Sequence, residues 1–242
     1  MSSESKRTPV DPGAAKSPTT RSDHKDIDAF LKQARTIGAP VEGRGRLIFA
    51  LDATMSRQPM WDTACRLQAE MFDAAGKTGG LDVQLVYYRG FNECRASRWV
   101  GETTALRNLM TGIQVRGGHT QIGKVLSHAR RETKKQKVGA LVFVGDAIEE
   151  PIDTLAAKAG ELGLLGLRAF MFQEGRDAMV EQGFREIARL TGGAYARFDT
   201  NAAGQLAELL KAAAIYAAGG IKALETKGGS SSRLLLEQMR SR

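Results

Sequence analysis

An α/β domain with a doubly wound, mostly parallel six-stranded sheet, one antiparallel edge strand and helices on both faces is predicted by three features of this 242-residue chain. Strand-like apolar runs alternate with helix-like segments over residues 46–217, the pattern of strands joined by crossover helices. Two of the runs, 46–51 and 140–144, are apolar without alternation, as strands covered on both faces must be. Only seven residues separate Tyr88 from Ala96, too few for a parallel crossover, which makes 96–100 an antiparallel edge strand.

The elements follow in order. Residues 1–25 are rich in Ser, Thr, Pro and Lys and read as a disordered tail. Residues 26–43 hold a short helix, 27–34, and a linker; the domain proper spans 44–218. After the strand 46–51, a helix over 58–75 starts near Pro59 and aligns Trp61, Ala64, Cys65, Gln68 and Phe72 along one side. Gly79-Gly80 closes that unit, and 83–88 is the second strand. Helices are expected at 103–110, 122–134, 155–162, 180–190 and 202–217, and further strands at 140–144, 167–172 and 194–198. Residues 219–242 read as a flexible tail in which 233–240 is a short apolar stretch, either packed back on the domain or, as the slightly favoured reading, a docking peptide.

Composition narrows the function classes. Apolar residues make up 42% of the chain, enough for one large core, and no run approaches the roughly 18 apolar residues of a membrane span. The N-terminal residues lack the apolar core of a secretory signal. Cys65 and Cys94 are the only cysteines, so a reducing, cytoplasmic setting is expected. The net charge of +8 is concentrated in the ends, leaving residues 26–221 with 25 basic against 22 acidic residues. A body this near neutrality lacks a general footprint for phosphate backbones. The basic run 130–137 sits where a helix ends and complements its dipole. Nucleic acid and membrane are therefore not the expected partners.

The richest stretch is Leu51-Asp52-Ala53-Thr54-Met55-Ser56. In extended backbone, side chains two residues apart share a face, so Asp52, Thr54 and Ser56 converge beyond a strand's carboxyl end. One carboxylate and two hydroxyls are hard oxygen ligands suited to Mg²⁺ or Mn²⁺. Such a run arises by accident in roughly one chain in ten of this length, and a cap on the following helix by Thr54 or Ser56 is the competing reading. Context strengthens the metal reading: Gly117-Gly118-His119-Thr120 precedes a helix, and Asp146 closes the next buried strand. Ligands of doubly wound sheets bind at that end.

In this order the segments resemble the von Willebrand factor A (VWA) domain and its metal-ion-dependent adhesion site, over about residues 44–218, including Thr191-Gly192-Gly193-Ala194-Tyr195 before the last helix. The resemblance implies a sheet of order 3-2-1-4-5-6 with strand 3 antiparallel. It implies a metal held by Asp52, Thr54, Ser56, Thr120 and Asp146, with Thr120 binding directly or through water and the acids often through water. It further implies a protein-interaction module rather than an enzyme, accepting an Asp or Glu carboxylate from a protein partner. The partner would land on a rim of Met55, Arg57, Gln58, His119 and Gln121. Intracellular members of the family often serve multiprotein complexes, which points to an AAA ATPase or a stress-response system. Thr54 stands where Ser is commoner, and Gly145-Asp146-Ala147 departs from the usual Asp-Gly turn.

One rival reading is a P-loop-like nucleotide-binding ATPase, because Gly118-His119-Thr120-Gln121-Ile122-Gly123-Lys124 satisfies G-x-x-x-x-G-K. Val125 follows Lys124, where Mg²⁺ needs a hydroxyl, and the preceding 111–115 is a feeble strand. His128 reads as a surface residue, and Glu149 and Glu150 read either as extra site charge or as an acidic helix start.

Overall fold

The computed structural model describes residues 43–54, 58–76, 79–199, 203–227 and 229–241. Six strands form one sheet: β1 (Gly45–Asp52), β2 (Leu81–Arg89), β3 (Glu93–Val100), β4 (Ala140–Gly145), β5 (Arg168–Glu174) and β6 (Ala194–Phe198). The helices are α1 (Gln58–Gly76), α2 (Thr103–Thr111), α3 (Ile122–Lys135), α4 (Ile152–Leu164), α5 (Ala178–Thr191), α6 (Ala203–Lys227) and α7 (Ser230–Arg240). The sheet order is β3-β2-β1-β4-β5-β6, with β3 antiparallel to β2 and every other pair parallel. Both the order and the odd strand are those expected from the sequence.

The pleat of β1 divides the core. Leu47, Phe49 and Leu51 face a cluster completed by α1, α2, α6 and α7, while Ile48 and Ala50 face one completed by α3, α4 and α5. All five side chains are essentially inaccessible to water, which is why this strand shows no polar alternation. Local chemistry fixes the helix ends. The Asp177 carboxylate caps α5 by accepting from the Met179 and Val180 amides at 2.8 and 3.0 Å. Gly192, in the left-handed region at φ 71°, terminates it.

Several boundaries differ from the sequence reading. β3 begins at Glu93, because the turn through Gly90 (φ 60°) is tight enough for pairing from Arg89–Glu93 onward. α4 starts at Ile152, directly after Pro151. The last expected helix continues past Gly219-Gly220: α6 runs to Lys227 with a break in helical geometry at Gly220 (φ 68°, ψ −161°). Within 219–242, the apolar stretch is α7, folded onto the domain. Leu235 is fully buried, Leu236 nearly so, and the Gln238 amide bridges the N–H and C=O of Tyr195 at 2.8 and 2.7 Å. A flexible tail or free docking peptide does not describe these residues, since the leucines bury their surface against this same chain. The expected helix at 27–34 lies outside the described residues. No described helix is long and apolar enough to cross a membrane.

Candidate metal centre

The carboxyl ends of β1 and β4 lie side by side in parallel register, Leu51 opposite Val144. Asp52, the last residue of β1, and Asp146, the first beyond β4, therefore emerge at the same edge. Asp52 is 4% exposed and accepts the Thr54 amide at its Oδ1 (2.8 Å). This local turn holds the Thr54 residue, itself 8% exposed, over the strand end. Ser56, with Met55 and Arg57, lies outside the described residues, and the side chain of Gln58 is likewise not described.

Thr120 precedes α3 and is also buried. Its hydroxyl donates to Glu150 Oε2 (2.6 Å) and accepts from the Glu149 amide (2.9 Å), while its own amide donates to Glu149 Oε2 (2.6 Å). Glu150 Oε1 accepts from the Gly123 amide (2.9 Å). The two acids thus accept one amide just before α3 and one in its first turn, where negative charge is favoured. His119 Nδ1 meets Glu149 Oε1 at 3.1 Å. These contacts hold the Glu149 carboxyl below its usual range, His119 contributing more than the Thr120 amide. Glu149 and Glu150 thus serve the loop before α3 and its first turn. Gln121 is buried and donates to the carbonyls of Arg89 and Gly90 (3.3 and 3.2 Å), tying the segment before α3 to the β2–β3 turn.

Sequence reasoning missed Tyr88. It passes for an ordinary residue of an apolar strand, yet its ring sits beneath the site, wholly buried. Its hydroxyl has no partner in good hydrogen-bond geometry among the described residues; the contact with Asp52 is too loose to count as one. Burial pushes the phenol well above its ordinary value. The charges of Asp52 and Glu150, the loose Asp52 contact and the charge of Asp146 add to this in that order. Asp52 of β1 and two acids of the β4–α4 loop, Asp146 and Glu150, therefore act electrostatically on one buried phenol. Through Glu150, Thr120 joins the same cluster.

The donor set suits a hard cation. A hydroxyl has two lone pairs, so Thr120 Oγ1 keeps one beyond the Glu149 amide, and its proton is already committed to Glu150. No trio of His, Cys, Asp or Glu among the described residues is disposed to hold a metal; a cation here would depend on threonine hydroxyls.

The nucleotide alternative fits poorly. No strand leads into Gly118, the Thr120 and Gly123 amides that would cradle phosphate already meet carboxylates, and buried Val125 supplies no hydroxyl. His128 is not the surface residue expected: it is half-buried, its Nε2 lies 2.8 Å from Gln84 Oε1, and burial lowers its pKa.

The comparisons with known proteins decide the fold. No protein-family profile and no curated protein matches the sequence. Among solved structures, the VWA domain of SpRpn10 superposes with a TM-score of 0.54 at 13% identity, over 68% of this chain and 94% of that one. The fold is that of a VWA domain. An aerotolerance-related membrane protein from Bacteroides fragilis NCTC 9343 is similar over 70% of this chain and 98% of its own (18% identity, TM-score 0.54). Proximal thread matrix protein 1 from the mussel byssus, with a zinc-occupied MIDAS motif, is similar over 71% of this chain and 46% of its own (16% identity, TM-score 0.56).

Proposed function

We propose that this VWA-fold chain is a metal-ion-dependent protein-interaction module, not an enzyme. Asp52, Thr54, Ser56, Thr120 and Asp146 would hold Mg²⁺ or Mn²⁺. A cation so bound supplies an open position for an Asp or Glu carboxylate of a protein partner. The observation that carries this reading is the parallel register of β1 and β4, which brings Asp52 and Asp146 out at one end of the sheet beside the Thr54 turn. Acids at a sheet's carboxyl end form a region where positive charge is favoured.

The chain's own residues set the terms of binding. The Thr54 amide orients Asp52, and Glu149 and Glu150 fix Thr120 by three hydrogen bonds. Hydroxyl ligation leaves a cation most of its charge, which a partner carboxylate can then satisfy. The setting we propose is cytoplasmic, in a multiprotein complex such as one built on an AAA ATPase or a stress-response system. The mussel protein's zinc-occupied MIDAS motif supports divalent-metal binding on this fold.

Isothermal calorimetry with Mg²⁺ and Mn²⁺ tests the metal, with Asp52→Asn expected to abolish the heat. Affinity purification from the native cell with and without chelator tests the partner. A protein that gives no heat at millimolar metal, and whose captured partners ignore chelator, does not work this way.

A further inference from the structure

Beside Thr120 the surface opens into a groove of about 520 Å³ between α3 and the β2–β3 hairpin, bordered by Lys158 of α4. Four cations line it, Arg95, Lys124, Arg131 and Lys158, against one acid, Glu150. Elsewhere basic side chains meet carboxylates, as in Arg44 with Asp82, Arg130 with Glu161, Arg185 with Glu181 and Lys211 with Glu70. In the groove Arg95 keeps to that pattern, meeting Glu93 at 2.9 Å, and the other three cations depart from it. Lys124 donates to Gln121 Oε1 (2.8 Å) and to Asn92, Lys158 donates to Ser127 Oγ (2.9 Å), and Arg131 approaches His128 Nδ1 at 3.3 Å. Neutral acceptors hold all three in place. Glu150 is turned to the Gly123 amide and the Thr120 hydroxyl instead. At the mouth, Phe91 is 78% exposed, its ring 5.1 Å from that of His119 in an edge contact.

We infer that this groove docks an acidic peptide segment of the protein partner, with successive acids on Lys124, Lys158 and Arg131 and an apolar side chain on Phe91. The inference rests on the proposed function only for the leading carboxylate at Thr120; the charge of the groove stands without it. Lys124 and Arg131 share one stripe of α3, seven residues or about 10 Å apart along the axis. Extended chain covers that span in about three residues, so the segment's acids fall within a run of about four residues. Charge complementarity selects the occupant, and an exposed aromatic beside it is the kind of anchor interfaces use. A nucleic-acid strand is the poorer fit, because successive bases need a series of stacking rings and Phe91 is the one exposed aromatic lining this groove.

The test is fluorescence anisotropy on the full chain with a labelled peptide carrying three glutamates within a run of four residues and one phenylalanine. Its glutamine counterpart and a short oligouridylate are the comparators. The glutamate peptide is expected to bind and the glutamine peptide not. Lys124→Glu with Arg131→Glu should weaken binding by about tenfold or more in Mg²⁺ and in EDTA alike, whereas Asp52→Asn should weaken it only in Mg²⁺. Lys124→Gln with Arg131→Gln gives the same ordering more mildly, should the double reversal disturb folding. Unchanged affinity in both double variants, equal binding of the glutamine peptide, or tighter binding of the oligouridylate overturns the inference. Charge sensitivity that persists without any Mg²⁺ dependence supports the groove and removes the metal reading alone.

Discussion

Replacing Leu235 by Ala asks whether the C-terminal helix belongs to the core. Leu235 is fully buried in α7, Leu236 is 8% exposed, and Gln238 satisfies both backbone groups of Tyr195. Burying each leucine is worth about 1.5–3 kcal/mol and each hydrogen bond about 1 kcal/mol, before the cost of ordering eleven residues is subtracted. A buried Leu→Ala change costs about 2–5 kcal/mol, comparable to everything that docks α7. The helix is terminal, so it can peel away once its anchor is gone, and the loss is capped at its docking energy. The expected outcome is a fall of about 2–3 kcal/mol, or roughly 4–12 °C in melting temperature. Amide exchange in 230–240 should accelerate while β1 and β4 stay protected. Leu234→Ala, at a 42% exposed position, should change little. Hydrogen-exchange mass spectrometry on the three proteins checks this. Equal protection of α7 in wild type and Leu235→Ala, or equal effects of the two substitutions, would refute the packing argument.

Further outcomes follow from single contacts. A Cβ at Gly193 would lie 1.9 Å from the Ala169 carbonyl oxygen, whereas one at Gly204 meets nothing within 4 Å. Gly193→Ala should therefore destabilise by about 2 kcal/mol or more in urea denaturation, and Gly204→Ala should stabilise by up to about 1 kcal/mol. The folded-state pKa of His128 is lowered, chiefly by burial, so the folded protein binds fewer protons there than the unfolded chain. That contribution is complete above about pH 6.5 and lost as pH falls through this value. Urea midpoints should drop between pH 7.5 and 5.5, and His128→Gln should flatten the drop. The depressed Glu149 adds a second loss at lower pH, present above the usual glutamate range and removed as pH falls below it. Glu149→Gln should shrink the loss between pH 5 and 3. In thermal-shift titration with Mn²⁺, Thr120→Val should reduce the metal-induced shift by about half or more; an unchanged shift would exclude Thr120 as a ligand.

The sheet was legible because burial on both faces forces strands such as β1 and β4 to be uniformly apolar, and because one short connection can only turn back on itself. That Asp52 ends β1, that Asp146 follows β4 and that Thr120 precedes α3 was legible for the same reason. Convergence is a tertiary property. Nothing in 83–88 distinguishes Tyr88 from a core tyrosine until Asp52, Asp146 and Glu150 are seen around it. Glu149 and Glu150 precede a proline-started helix, which accounts for their charge without revealing that they reach across to the loop before α3. Gln238 has no local signature at all: an amide matching both polar groups of one edge residue is visible only in three dimensions. His128 looked superficial because the helical pattern places it beside Lys124 and Arg131. The sheet beneath, with Gln84 of β2, is what half-buries it.

Gly118 sits so near the β2–β3 turn that a methyl group there would lie 2.1 Å from the Gly90 carbonyl oxygen. The His119 amide and the Gln121 side chain both fasten onto that same carbonyl. Two segments 28 residues apart are thereby welded into a single strut, and neither can be lengthened or redirected without the other. Anyone regrafting this corner to change what it recognises must treat the hairpin tip and the segment ahead of α3 as one cassette, exchanging them together and leaving both glycines in place.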